Sequence, residues 1–346
     1  MSTVQNETNL LQTTDTISSN PALDKFFATI LLLCLLFGVP ANIFSIRYFH
    51  ASRRKKCIST SLYLTICLID TCTCFSHLPV TVSLFAERAP VMFSSQEVCA
   101  LWEIVFSFCQ RNAMFLVMIL SLTRTIAISL PFYKMRRRSV VAAVITYSLF
   151  LALHFVLSAV VKIGFVYRSK GGYCFRNIDQ QTAYTITHMV LLNLETGLPP
   201  ILTFFSFIIC VVQLKRTAVK TTRATNRRAA KTVTIFTAVF LFCNVPYFVN
   251  MILALSSIFS PELKSSLGDS MFMFYFWTVS KIHFTVLNAS LNPIVYYFRI
   301  DKFRRSVKLF VCNNTVRDMS QPSENELYSM WAGFICCVCV VEPFSV

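Results

Sequence analysis

The sequence predicts an all-α membrane protein, a bundle of seven membrane-spanning helices followed by a short amphipathic eighth helix. Three observations carry that reading. Hydrophobic residues make up 55% of the 346 residues and charged residues only 14%, against the roughly 25% charge of a typical soluble domain. The apolar residues gather into seven blocks, at about 26–49, 59–85, 98–129, 139–161, 183–214, 230–258 and 271–298. Each is long enough for the ~20-residue crossing of a bilayer. Finally, the basic residues crowd into alternate gaps between the blocks.

Within lipid the backbone must satisfy its own hydrogen bonds, which leaves helices or closed-barrel strands. The blocks are far longer than barrel strands and do not alternate apolar with polar residues, so they read as helices. The gaps after the first, third, fifth and seventh blocks read "HASRRKK", "PFYKMRRRS", "LKRTAVKTTRATNRRAAK" and "FRIDKFRRSVK". The other gaps, near 86–97, 162–182 and 259–270, mix both signs. Most of the 32 Lys and Arg fall in or beside the first set, which places that set in the cytoplasm. An extracellular N-terminus, an odd number of spans and a cytoplasmic C-terminus follow. The net charge of +16 thereby reads as membrane topology and not as nucleic-acid binding.

The expected organisation is an extracellular tail over 1–25, the seven-helix domain over 26–298, a membrane-surface helix over 299–312 and a cytoplasmic tail over 313–346. No secretory signal peptide is visible, so the first span is expected to act as a signal-anchor. Asn6 opens the sequon "NET", a glycosylation acceptor on the outer side. Most of the 14 Cys lie inside spans, where thiols act as small apolar side chains. Cys99 opens the third span and Cys174 lies in the longest outer loop, both facing an oxidising compartment. A bond between them would pin that loop over the bundle mouth. Cys312, Cys336 and Cys337, with Cys339, lie near the inner membrane surface and are candidates for S-palmitoylation.

Polar side chains inside spans are costly and mark function. Asp70 reads as the only acid deep in a span. Lys281, Thr285, Asn288 and Asn292 recur at i, i+4, i+7 and i+11, which puts them on one helical face. The lower two could meet Asp70, and Asn42 adds another buried amide. Such a core either binds and releases a cation or simply ties helices together at ~0.6–2 kcal/mol per contact. Pro40, Pro79, Pro199 or Pro200, Pro246 and Pro293 fall within spans, where a proline removes a helical hydrogen bond and bends the helix.

These residues resemble the rhodopsin-like (class A) G-protein-coupled receptors over about 26–311. "NPIVYY" resembles the family's Asn-Pro-x-x-Tyr motif, with Asn292, Pro293 and Tyr296 in register. "TRTIAISLPF" resembles Asp-Arg-Tyr-x-x-Ile-x-x-Pro, with Arg124, Ile128 and Pro131 in place. "CNVP" at 243–246 resembles Cys-Trp-x-Pro. Asp70 and Asn42 stand where the family keeps its second-helix aspartate and first-helix asparagine. Cys99 stands 25 residues before Arg124, the family spacing, and the resemblance implies Cys174 as its disulfide partner. "FRIDKFRRSVKLF" is similar to the family's amphipathic helix.

The resemblance implies a plasma-membrane receptor, not an enzyme, that binds an extracellular ligand, activates heterotrimeric G proteins through outward motion of the sixth helix, and rests in the lipid bilayer. Arg124, Asn244, Pro246, Asn292, Pro293 and Tyr296 would be its activation switches. Asn42, Asp70, Asn288 and Asn292 would form a polar core or a sodium site, with Asn244 near it. Departures accompany the likeness. Thr123 and Thr125 replace the residues flanking the arginine, Asn244 replaces the sixth-helix tryptophan, Ala113 stands where a sodium ligand is common, and the fifth span lacks its tyrosine. They motivate a rival reading, a receptor-like protein that binds ligand without efficient coupling, as a scavenger or dimer partner.

For the ligand, Phe106 replaces the aspartate that binds amines in amine receptors. Val286 occupies the position of the retinal-binding lysine, so no retinal is expected. The residues expected at the mouth are Glu103, Phe106, Gln110, Arg111, Tyr247, Phe248, Asn250, Tyr275, Trp277 and Lys281. Charges of both signs among aromatics suit a peptide or a small zwitterion.

Overall fold

A computed structural model of the chain describes residues 21–52, 58–86, 96–130, 136–160, 165–170, 173–178, 183–217, 224–259, 276 and 279–318. The predicted positions Asn6, Pro131, Tyr275, Trp277, Cys336, Cys337 and Cys339 lie outside them. The chain divides into two compact units, Met1–Pro293 and Ile294–Val346.

The first unit holds α1 (Pro21–Ser52), α2 (Ile58–Ala86), α3 (Gln96–Ser129), α4 (Arg137–Val160), β1 (Phe165–Lys170), β2 (Tyr173–Ile178), α5 (Ala183–Thr217) and α6 (Ala224–Phe259). A π-helical turn over Val279–His283 then leads into α7 (Phe284–Arg299), whose last residues belong to the second unit. Among the described residues, five stretches are long and apolar enough to cross a membrane: Lys25–Ser52, Ile58–Val82, Leu101–Ser129, Glu195–Lys215 and Lys231–Asn250. With α4 and α7 they make the seven-helix bundle that the sequence predicts. Within the first unit α3 is the hub, packing on α2, α4, α5 and α6.

Burial is arranged for lipid. Leu33, Leu149, Leu153 and Phe242 point outward and are well exposed, while Asn42, Asp70, His77, Thr203 and Asn292 are buried. Polar groups in hydrocarbon need partners, so they turn inward to one another. Gly38 permits the closest approach in this arrangement. A Cβ there would collide with Ser290 Oγ and lie 3.3 Å from Cys74 Sγ, so α1, α2 and α7 meet over a missing side chain.

The hairpin was not foreseen in the sequence. Its strands pair antiparallel from Phe165↔Ile178 to Lys170↔Tyr173. Val, Tyr and Phe favour strands, and Gly171-Gly172 between them in sequence is a dipeptide that tight hairpins use. Both strands contact α3. Cys174 lies on β2 and Cys99 on α3, but their side chains lie outside the described residues.

The second unit holds the end of α7 and α8 (Asp301–Asp318). Tyr296 O accepts from Ile300 N at 2.9 Å and Ile300 O from Arg304 N at 3.0 Å, so helical bonding continues across the junction. The Tyr296 and Phe303 rings meet edge to face at 6.1 Å, and both are buried. Lys302, Arg305 and Lys308 are exposed, as are Leu309 and Phe310. Cys312 lies on α8 with its side chain outside the described residues.

Candidate functional site

The candidate site is a column of polar side chains running through the first unit from the half bearing the hairpin toward Arg124. At its top, Lys281 Nζ lies 2.5 Å from Glu103 Oε1, joining the π-helical turn to α3. Both side chains are less than a tenth exposed. Ser107 Oγ donates to the same Glu103 oxygen at 3.1 Å, while Glu103 Oε2 has no partner among the described residues. Lys281 Nζ also sits 5.3 Å from the centre of the Phe106 ring, a cation–π position. Trp102 and Phe106 stack at 5.5 Å with 9° between planes. Their i, i+4 spacing places both on one face of α3.

His77 closes this group from α2, its ring edge-on to Phe106 at 4.8 Å. Thr73 O is a carbonyl 2.6 Å from His77 Nδ1, so that nitrogen carries the proton and Nε2 is left as an acceptor. Trp102 Nε1 donates to Ser76 O at 2.5 Å and fixes α3 against α2. Asn250 of α6 donates to Ser280 Oγ and, at 3.2 Å, to Phe276 O. The π-helical turn is thus tied to α6 as well as α3; such turns often mark functional sites. Tyr247 is buried, and a Cβ on Gly197 would meet Phe248 at 3.5 Å, so Phe248 lies against α5. Pro246 is inside α6 between these residues and Asn244.

One turn below Lys281, Gln110 Nε2 donates to Thr285 Oγ1 at 3.0 Å, and Thr285 donates to Lys281 O at 2.6 Å. Below that bond lies a cavity of about 10 Å³, lined by Asp70, Thr73, Gln110, Ala113, Met114, Phe240, Asn244, Thr285, Asn288 and Ala289. That is room for about one water. Asn244 Nδ2 donates to Phe240 O at 2.8 Å. At the bottom Asn292 Nδ2 donates to Asp70 Oδ2 at 2.7 Å. Asn42 Nδ2 donates to both Gly38 O and Ala289 O at 3.0 Å. The structure therefore brings Asp70 together with Asn292, Asn288 and Asn244, while Asn42 reaches the α7 backbone at Ala289 O.

Two further acids, Glu103 and Glu195, stand at the ends of their apolar stretches and are also buried, 7% and 8% exposed. Glu195 was missed, although it stands in an apolar block five residues before Pro200. Its Oε2 lies 2.5 Å from Arg111 Nη1, with both side chains under a tenth exposed. Arg111 thus faces α5 and its acid, on a different side of α3 from Glu103.

Toward the other end, Arg124 Nη2 donates to Ser59 Oγ of α2. Thr123 Oγ1 turns back onto Leu120 O at 2.8 Å, so it does not engage the arginine. Thr125 Oγ1 shares a hydrogen bond with Ser206 Oγ of α5 at 2.6 Å and lies 3.1 Å from Cys210 Sγ. Ser121 bonds Thr237 of α6 at 2.6 Å. Hydroxyl pairs therefore hold α3 to α5 and α6 where sequence reasoning saw only substitutions. Among the described residues no group of three or more His, Cys, Asp or Glu could hold a metal ion.

Residues 16–296 match the model of the 7 transmembrane receptor (rhodopsin family). Curated relatives include the C-C chemokine receptor type 6 of Mus musculus, 24% identical over 79% of this chain and 74% of the relative. The cysteinyl leukotriene receptor 2 of Homo sapiens is 21% identical over 82% and 81%. The somatostatin receptor type 5 of Rattus norvegicus is 24% identical over 82% and 76%. Among solved structures, squid rhodopsin superposes with a TM-score of 0.61 at 17% identity, covering 91% of this chain and 92% of that one.

Proposed function

The chain belongs to the rhodopsin family of seven-transmembrane receptors and is a multi-pass plasma-membrane receptor, not an enzyme; from that premise we propose that it binds a peptide or a small zwitterionic molecule at its hairpin-bearing half and activates heterotrimeric G proteins from its Arg124 end. The observation that carries the ligand reading is the buried Glu103–Lys281 pair against stacked Trp102 and Phe106. An acid and a base, desolvated side by side and backed by aromatics, can exchange each other for the opposite charges of a dipolar ligand. Truncating one partner of such a buried pair is costly, so a ligand that replaces it must supply charge at both places. The hairpin-bearing half is then extracellular, as the basic gaps at the other end require.

A sodium ion beside Asp70 belongs to the same proposal. Asp70 offers a carboxylate, Asn288 Oδ1 has no partner among the described residues, and Asn244 lines the same cavity. Ala113 adds no donor. The set fits a small monovalent cation, which would neutralise Asp70 and join the helices around the cavity. The Cys99–Cys174 disulfide, glycosylation at Asn6 and palmitoylation at Cys312, Cys336 and Cys337 complete the reading.

The rival, a receptor that binds ligand and couples poorly, draws on Thr123 turning to Leu120 and on Asn244. The test is a peptide screen on cells expressing the chain, followed by Glu103→Lys and Lys281→Glu. A peptide agonist should lose about a hundredfold in affinity with either reversal. Arg124→Ala should spare binding and abolish activation. Unchanged binding in both surface-expressed reversal variants would contradict the ligand reading; activation that survives Arg124→Ala would contradict the coupling route.

A further inference from the structure

The Glu103–Lys281 pair leaves two buried acceptors over. Glu103 Oε1 takes both Lys281 Nζ and Ser107 Oγ, while Glu103 Oε2 has no hydrogen-bond partner among the described residues. His77 Nδ1 gives its proton to Thr73 O at 2.6 Å, with Ser76 Oγ 3.3 Å away. His77 Nε2, the acceptor nitrogen of that tautomer, has no partner among the described residues either. His77 is fully buried and Glu103 is 7% exposed. Acceptors shut away from bulk water are costly unless something donates to them.

Both acceptors belong to one cluster around the Phe106 ring. The His77 ring meets it edge-on at 4.8 Å, and Lys281 Nζ stands 5.3 Å from its centre. Lys281 also lies within electrostatic reach of His77. The charges of this cluster choose among ligand groups. The carboxylate and the ammonium, 2.5 Å apart, already offset each other, and His77 with Nε2 as acceptor is neutral. A ligand ammonium would meet the like charge of Lys281. A ligand carboxylate would meet the like charge of Glu103 and has no hydrogen to give. Like charges in a poorly hydrated site repel strongly. A hydroxyl has one hydrogen for two acceptors. A primary carboxamide is neutral, carries two N–H donors on one nitrogen, and turns the oxygen end of its dipole toward the Lys281 ammonium.

We propose that His77 Nε2 and Glu103 Oε2 together receive a primary carboxamide, the amidated C-terminus of a peptide, with Trp102 and Phe106 against the aromatic or apolar side chain of its last residue. Water ordinarily serves such acceptors, and an NH2 group that reproduces its two bonds can take its place. The inference rests on the reading that the hairpin-bearing half binds a peptide, and it narrows that reading. The peptide enters by its C-terminus, that terminus is amidated, and the Glu103–Lys281 pair stays intact beside it.

The probe is N-acetyl-para-fluorophenylalaninamide, an aromatic residue that carries the carboxamide and no charge. It is added to the full chain in lipid nanodiscs with isotopically labelled histidine. Fluorine NMR gives its half-saturation. Nitrogen NMR follows His77 Nε2, assigned by the signal lost in His77→Phe. The carboxamide should saturate at a concentration about tenfold or more below that of the matching acid and the matching dimethylamide, which lack the N–H donors. Its binding should shift the His77 Nε2 signal. His77→Phe should remove the preference. Glu103→Gln offers its oxygen to Lys281 and its NH2 group to the probe, so it should turn the preference toward the acid. N-acetylglutamine dimethylamide, with its carboxamide on a side chain and no ring, should bind less tightly than the first probe. Equal binding of carboxamide, acid and dimethylamide would overturn the proposal. So would a carboxamide that does not bind, or one that binds and leaves His77 Nε2 unmoved. Tighter binding of the glutamine probe would overturn the assignment to a C-terminus. Glu103→Gln carries the comparison if His77→Phe fails to fold. None of these outcomes decides the peptide reading itself, which stands or falls with the peptide screen and the reversals at Glu103 and Lys281.

Discussion

Asn42 Nδ2 donates a 3.0 Å hydrogen bond to Ala289 O, the carbonyl four residues before Pro293. In a helix that carbonyl would accept from the N–H at position 293, which proline lacks. An amide from α1 therefore occupies the gap that the proline opens in α7. Asn42→Leu should lower stability by about 1–3 kcal/mol, the cost of a buried acceptor left unmade. Pro293→Ala restores the helical donor, so the double variant should lose less than the sum. Thermal unfolding of purified receptor in detergent checks this, and strict additivity would argue against the link.

The Arg111–Glu195 pair makes a second prediction. Glu195→Gln removes the carboxylate that Arg111 faces at 2.5 Å and should cost about 3–5 kcal/mol, the usual loss when one side of a buried pair is removed. The exchanged double variant Arg111→Glu/Glu195→Arg should recover part of that stability. Surface expression and unfolding temperature report both effects.

Arg124 is held by Ser59 and not by the residue before it. A neutral hydroxyl is a weaker hold than a carboxylate, because charge-assisted bonds are about twice as strong. Unliganded signalling should therefore fall with Thr123→Asp, by about tenfold for each 1.4 kcal/mol gained by the resting state. Ser59→Ala should raise it. Nucleotide exchange on G protein in unliganded membranes measures both.

At Gly38 the α1–α2–α7 junction has no room for a side chain, since the added carbon meets Ser290. Ser290 Oγ donates to Cys34 O at 2.9 Å and cannot turn aside without losing that bond. Gly38→Val should cost about 1–3 kcal/mol or more through overpacking. Surface expression well below that of the parent chain is the expected result.

Much of this arrangement is legible in the sequence, for a physical reason. An amide or acid in an apolar block stands out against its surroundings, and helical periodicity tells which others share its face. That is how Lys281, Thr285, Asn288 and Asn292 announce a single stripe and Asp70 its target. Pairings between helices are less legible. That Arg111 meets Glu195, or Arg124 meets Ser59, depends on how α3 is rotated against α5 and α2, which no periodicity within one helix records. The π-helical turn carries no residue signature either. The hairpin was marked by strand-forming residues around Gly171-Gly172, but in a chain of apolar helical blocks that short signal read as loop.

The central claim, that this receptor signals through Arg124, is tested most directly by G-protein activation in cells expressing the chain. Wild type is compared with Arg124→Ala and with Asn292→Ala/Tyr296→Ala, all at matched surface expression and with peptide agonist from the screen. The expected result is activation by the wild type that Arg124→Ala abolishes and the double variant reduces. Agonist binding to the wild type with no activation above mock cells would contradict the claim and establish the non-coupling receptor in its place.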